Sequence, residues 1–233
     1  MKKLRKRGRK GEEIIKLKEV FKFFQLGESV VKALDGVDLT IKKGEFIAIV
    51  GPSGSGKSTM MNMVGALDIA TKGDIFLDKI NIEHLEESQL AQIRGRRIGF
   101  IFQTFNLVPT LTALENVMLP MVFQRIPLRE RQRRARELLE KVGLGERLAH
   151  LPSELSGGES QRVAICRALA NDPEVILADE PTGNLDTKTG EEVVKTFEEL
   201  NKEGKTIIMV THDLDMAKHA DKIYKLKDGK IVN

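Results

Sequence analysis

The sequence predicts an α/β fold centred on a mostly parallel sheet with flanking helices, and three observations carry that prediction. Strand-like apolar runs alternate with helical patterns along most of the 233 residues. The run Phe46-Ile47-Ala48-Ile49-Val50 leads straight into the glycine-rich stretch Gly51 to Ser58, which precedes a helical pattern. A second run, Val175 to Ala178, is apolar throughout and ends in Asp179-Glu180-Pro181, as a strand buried on both faces does where it emerges at the carboxyl edge of a sheet.

Taken in order, the chain begins with Lys2, Lys3, Arg5, Lys6, Arg7, Arg9 and Lys10, and residues 1–13 read as a disordered basic tail. That tail accounts for the formal net charge of +4, since the remaining basic residues are outnumbered by the 34 acidic ones. The body is therefore slightly acidic, and nucleic acid is not expected as a partner. The tail could instead touch anionic headgroups, although such a run is more often simply solvated. From residue 14 to 233 a single domain is expected. Runs at Ile14 to Val20, Val30 to Leu34, Val37 to Ile41 and Glu45 to Val50, separated by turns bearing Gly and Asp, predict an N-terminal antiparallel β subdomain leading into the sheet. Asp74 to Leu77 and Arg97 to Phe102 read as further strands.

A helical block then runs from about Thr112 to Asn171, within an inserted helical subdomain of about 104–171. Leu128, Ala135, Leu138, Leu139 and Val142 lie close to one helical stripe, with Arg129, Arg131, Arg133, Arg134 and Arg136 mostly off it, as on a solvated face. Strands resume at Glu174 to Ala178, Thr206 to Val210 and Lys222 to Leu226. No segment approaches the ~20 apolar residues of a membrane span, and no apolar stretch follows the charged start as in a secretory signal. A soluble, non-exported chain is expected. Its one cysteine, Cys166, has no intramolecular partner, which fits a reducing compartment.

Gly51-Pro52-Ser53-Gly54-Ser55-Gly56-Lys57-Ser58 fits the phosphate-loop pattern G-x-x-x-x-G-K-[ST] at every fixed position. Glycines allow positive φ and turn N–H groups inward, so that loop and helix N-terminus form an anion cradle. Lys57 would neutralise the β- and γ-phosphates and Ser58 would ligate Mg²⁺. Asp179 is suited to the Mg²⁺ shell and Glu180 to polarising an attacking water. Leu155-Ser156-Gly157-Gly158-Glu159 is a second anion site at a helix N-terminus, with Ser156 suited to capping. One nucleotide does not need two such cradles from one chain.

Together with Gln103 after Ile101-Phe102, the segment Gly183-Asn184-Leu185-Asp186, and His212 after Thr206 to Val210, this set resembles the ATP-binding subunit of ABC transporters over nearly everything from Ile14 to Asn233. The resemblance implies a P-loop NTPase core and MgATP hydrolysis. It makes Gly51 to Ser58, with Thr59 beside them, the Walker A loop, Asp179 the Walker B aspartate and Glu180 the catalytic base. Gln103 becomes the Q-loop residue, placed with Ser58 and Asp179 at the metal. Asn184 to Asp186 become the D-loop and His212 the switch histidine. Leu155 to Glu159 would be the signature, closing on ATP held by a second copy, so that two chains sandwich two nucleotides. Two departures stand out. The signature usually ends in Gln, where this chain has Glu159. The adenine-stacking aromatic is commonly Tyr, where this chain offers Phe21, Phe23 or Phe24, with Phe24 preferred.

The stretches Gln103 to Pro109, Leu111 to Val117 and Ala178 to Asp186 look like the lipoprotein-releasing and macrolide-exporter (LolD/MacB-like) group. That resemblance implies a separate FtsX-like membrane permease and a peripheral place on the cytoplasmic face of the membrane. Phe105, Leu107 and Val108 would border its docking cleft, with local packing under the loop as the other reading. The alternatives are a mechanotransmitting ATPase of the cell-division type and a soluble nucleic-acid-associated ATPase.

Overall fold

The computed structural model describes residues 11–232. Residues 1–10, most of the basic tail read from the sequence, lie outside the described residues. Ahead of residue 14, Lys43 N donates to the Glu12 carbonyl at 2.8 Å, and Glu13 opens the first strand, β1 (Glu13–Leu26).

β1 pairs antiparallel with β2 (Ser29–Lys42) and with β4 (Lys72–Leu77), and the short β5 (Ile80–Asn81) completes a sheet in the order β2-β1-β4-β5. The two strands expected across 30–41 are one. Asp35-Gly36 is absorbed as an irregularity between the pairs Val20 with Val37 and Lys22 with Leu34, where a turn was expected. Gly36 sits at φ +72°, and a Cβ there would come within 3.2 Å of the Phe21 ring, so this position favours glycine on both counts.

The second sheet is built from β3 (Phe46–Val50), β6 (Ile98–Phe102), β7 (Val175–Asp179), β8 (Thr206–Thr211), β9 (Lys222–Lys227) and β10 (Lys230–Val232), in the order β10-β9-β3-β8-β7-β6. All its pairings are parallel except that of β10 with β9. Strand alternation sorts the apolar residues between its faces. Ile47, Ile49, Leu177, Ile208 and Val210 pack with the antiparallel sheet and with Met60, Met61, Met63 and Val64 of α1 (Lys57–Val64). Phe46, Ala48, Val50, Ile176, Ala178, Ile207 and Met209 face the other way. There they meet Ile165 and Ala168 of α5 (Gly157–Leu169), Val193, Val194 and Phe197 of α6 (Thr187–Lys202), and α7 (Leu214–Ala217). The fold is the mostly parallel, helix-flanked core predicted, with its antiparallel addition.

Helix α2 (Glu87–Arg97) was not foreseen in the sequence. It buries only Leu90 and is held at its start by a capping box in which Gln89 Oε1 accepts from Glu86 N at 3.0 Å. A third cluster lies between helices: Ala113, Val117 and Met121 of α3 (Ala113–Phe123) pack with Ala135 and Leu139 of α4 (Leu128–Lys141) and with Val163 and Cys166 of α5. The stripe read on α4 holds for Ala135, Leu138, Leu139 and Val142. Leu128 departs from it, being 52% exposed at the first turn. Arg133 and Arg134 pair with Glu130, and Arg133 also with Glu137, as a solvated helix face does. Cys166 is buried; its thiol donates to the Leu138 carbonyl at 3.4 Å, and burial pushes its pKa up to about 12. Among the described residues no helix is long and apolar enough to cross a membrane.

Candidate nucleotide site

Parallel pairing places the ends of four strands at one edge. Val50 stands opposite Thr211, Asp179 opposite Val210, and Phe102 opposite Asp179. The residues that follow these ends are Gly51, His212, Glu180 and Gln103, so four distant stretches of sequence meet by register alone.

The loop from Gly51 to Gly56 leads directly into α1. Gly54 and Gly56 adopt φ +77° and +101°. A Cβ on Gly56 would run into the Ala33 carbonyl, and one on Gly51 into the Leu226 carbonyl. Gly229 N donates to the Ser55 carbonyl at 3.0 Å, which ties the loop to the β9–β10 turn. Lys57 Nζ donates to the carbonyls of Gly51 and Pro52 at 2.8 and 2.9 Å, so the ammonium is folded over its own loop.

Ser53, Gly54, Gly56, Lys57, Ser58, Thr59, Asp179, Glu180 and His212 line one open cleft of about 650 Å³. Val31, Lys32 and Ala33 of β2 form its other wall. The sequence reading missed these three, because they reach the cleft through the fold of the antiparallel sheet. Burial and then the neighbouring Glu180 charge raise the Asp179 pKa, with Lys57 opposing. A bound cation would relieve that repulsion, and a hydroxyl plus a carboxylate is a hard-oxygen donor set of the kind Mg²⁺ takes. Glu180 sits at φ +46°, outside the region a non-glycine prefers. Its Oε1 lies 2.9 Å from His212 Nδ1, and its Oε2 accepts from His212 N at 3.3 Å. A carboxylate only accepts, so Nδ1 carries the proton in this pair.

The other predicted residues lie outside that cleft. Gln103 is exposed; its side chain rests over Gly183, where a Cβ would approach Nε2 to 2.7 Å, and its carbonyl accepts from Asn184 Nδ2 at 2.9 Å. Phe24 is 40% exposed, with Lys22 Nζ 5.2 Å from its ring centre, and is not part of the core. Leu107 packs against the helical cluster, while Asn116 Oδ1 accepts from Val108 N at 2.8 Å. For Leu107 that contact is the local-packing reading.

Ser156 caps α5. Glu159 N donates to its Oγ at 3.2 Å, and Glu159 Oε2 accepts from Ser156 N at 2.8 Å. Those bonds, with Arg147 beside them, lower the Glu159 pKa to about 2. Asp186 caps α6 by accepting from Thr189 N at 3.1 Å. None of Ser156, Gly157, Gly158, Glu159 or Asp186 lines the cleft that the loop forms in the same chain.

The family model described as ABC transporter matches residues 34–183. An uncharacterized ABC transporter ATP-binding protein of Thermotoga maritima is 53% identical over 220 residues, covering 94% of each chain. The macrolide export ATP-binding/permease protein MacB of Hyphomonas neptunium is 49% identical across 94% of this chain, which spans only 34% of that longer protein. A solved structure of the ATP-binding cassette MJ0796 of Methanocaldococcus jannaschii, a dimer in a post-hydrolysis state bound to ADP and Pi, superposes with a TM-score of 0.88 at 50% identity, covering 94% of this chain and 97% of that one. On these findings, with the loop, the cleft and the Ser156-capped helix described above, the chain belongs to the ABC transporter family.

Proposed function

We propose that this chain is the MgATP-hydrolysing subunit of a transporter, working as a nucleotide-sandwiched homodimer beneath a separate membrane permease of the MacB or FtsX kind. The observation that carries the reading is the division of labour within one chain. Lys57, Asp179, Glu180 and His212 share a cleft, while Ser156 to Gly158 form a helix N-terminus outside it, exposed at Ser156 and Gly157 and half-buried at Gly158. The second cradle therefore suits a nucleotide held by another copy. The dimeric ADP-bound relative and the fused permease of MacB support the dimer and the permease respectively.

Bound Mg²⁺ would screen the phosphate charge, held by Ser58 and Asp179. The chain's own residues do the rest. Loop N–H groups and Lys57 orient the triphosphate, with the ammonium exchanging carbonyls for phosphate oxygens. Glu180 accepts a hydrogen bond from the attacking water, and His212 Nδ1–H holds that carboxylate in line. Gln103 would reach the metal only by leaving Gly183, and Asp186 only by facing the other copy. Phe24, exposed near the cleft wall, offers a ring face for adenine. The chain would sit peripherally on the cytoplasmic face of the membrane.

Glu180→Gln keeps size and hydrogen bonding but removes the charge. ATP should persist and shift the population to dimer, whereas ADP should not. Light scattering with ATP, with ADP and without nucleotide tests this. A monomer in all three would sink the sandwich.

A further inference from the structure

Glu180 needs holding. A left-handed φ is disfavoured for a residue with a Cβ and persists only where the surroundings dictate it. On one side Glu180 N donates to the Val210 carbonyl at 2.9 Å, and Gly183 N donates to the Glu180 carbonyl at 3.1 Å. The next residue, Pro181, has no N–H, so its carbonyl is its one polar handle. That carbonyl accepts from Nε2 of Gln161 at 2.6 Å.

Gln161 lies on α5 two residues beyond Glu159 and is fully buried. Its other amide atom, Oε1, is buried with no hydrogen-bond partner among the described residues. A half-satisfied buried amide is a poor stabiliser, because the orphaned acceptor loses its hydration for nothing; an apolar side chain of the same shape would suit the core better. The position is therefore explained by its donor, aimed at the residue after Glu180. Helix α5 is capped by Ser156, so its first two turns connect the second cradle to the peptide that aims the carboxylate.

We propose that Gln161 is a positioning residue for Glu180, transmitting the placement of the Ser156 to Glu159 segment to the Glu180-Pro181 turn through the Pro181 carbonyl. This rests on the reading of Glu180 as the group that polarises water. Its signature is a change in turnover without a change in nucleotide binding, because Gln161 does not line the cleft.

The test uses the full chain with Gln161→Met, which keeps length and bulk but has no N–H, and Gln161→Leu, a shorter apolar side chain that also lacks a donor. Steady-state ATPase rates are normalised to the fraction competent to bind a fluorescent ATP analogue, and Glu180→Gln is run alongside. The expected result is a fall in kcat of about tenfold or more with KM and analogue affinity within about threefold. An unchanged normalised kcat, or equal losses in affinity and turnover, would overturn the proposal. Failure of both variants to fold would assign the amide to stability and overturn it as well. If Glu180→Gln itself turns over at the wild-type rate, the base reading fails; if it is inactive while both Gln161 variants are active, only the positioning role fails.

Discussion

A Cβ built on Gly158 would fall 2.7 Å from Cγ2 of Thr189, whose hydroxyl donates to Asp186 Oδ2 at 2.6 Å. The first turn of α5 and the cap of α6 are thus packed through a methyl group, with no room for another carbon.

Gly158→Ala should therefore destabilise the chain, since the few tenths to 1 kcal/mol of helix propensity gained is smaller than the ~1–3 kcal/mol typical of overpacking. Gly157→Ala should be neutral or slightly stabilising, because the Cβ there meets Leu185 Cδ2 at an ordinary 3.6 Å. Urea unfolding of the two variants checks the opposite signs.

Lys57→Ala removes the ammonium that now bridges the carbonyls of Gly51 and Pro52. ATP affinity should fall and turnover should drop by about a hundredfold or more, as for loss of a charge-stabilising donor. Fluorescent-nucleotide titration and phosphate release measure the two effects; rates equal to wild type would remove Lys57 from the site.

Ser156→Arg replaces an exposed cap. Losing the bond from Glu159 N should cost about 1 kcal/mol of stability. Nucleotide affinity of the monomer should stay nearly intact while ATP-dependent dimerisation is lost. Calorimetry of nucleotide binding should therefore match wild type where sedimentation with ATP does not.

Glu159 provides a pH test. Its carboxyl is held at about 2 against an ordinary 4.5, mainly by Ser156, so the folded state favours the ionised form. The stability this contributes is complete above pH 4.5 and disappears as the pH falls towards 2. Glu159→Gln still accepts from Ser156 N but has no proton to take up. The difference in urea midpoint between wild type and variant should shrink across that window and be constant above it.

The cleft was legible because its residues follow strands whose apolar runs are unmistakable, and parallel register then aligns Gly51, Glu180 and His212. Motif and position marked Gly51 and Glu180, whereas His212 was singled out only through the family resemblance. Val31, Lys32 and Ala33 were not legible as cleft residues, since nothing in a strand's own pattern says which loop it will overhang. Helix α2 escaped notice for a different reason: with Leu90 as its one buried side chain it has almost no apolar periodicity, and its capping box alone marks its start. The long β2 was read as two strands because Asp35-Gly36 is turn chemistry locally; pairing with β1 overrode it. Gln161 carried no sequence signal, being one polar residue within a helix that is buried over most of its length.

The buried thiol of Cys166 makes the chain a convenient object for site-directed spectroscopy. It is the sole cysteine in the sequence, and its raised pKa leaves almost no thiolate at neutral pH. A maleimide dye would ignore it and attach to a cysteine introduced at an exposed position such as Ser153, with no need to delete the native one. The same silence can be turned into a clock. Cys166 lies where α5 meets the Leu138 carbonyl of α4, so slow labelling of the unaltered chain would record how often those two helices part, with and without ATP.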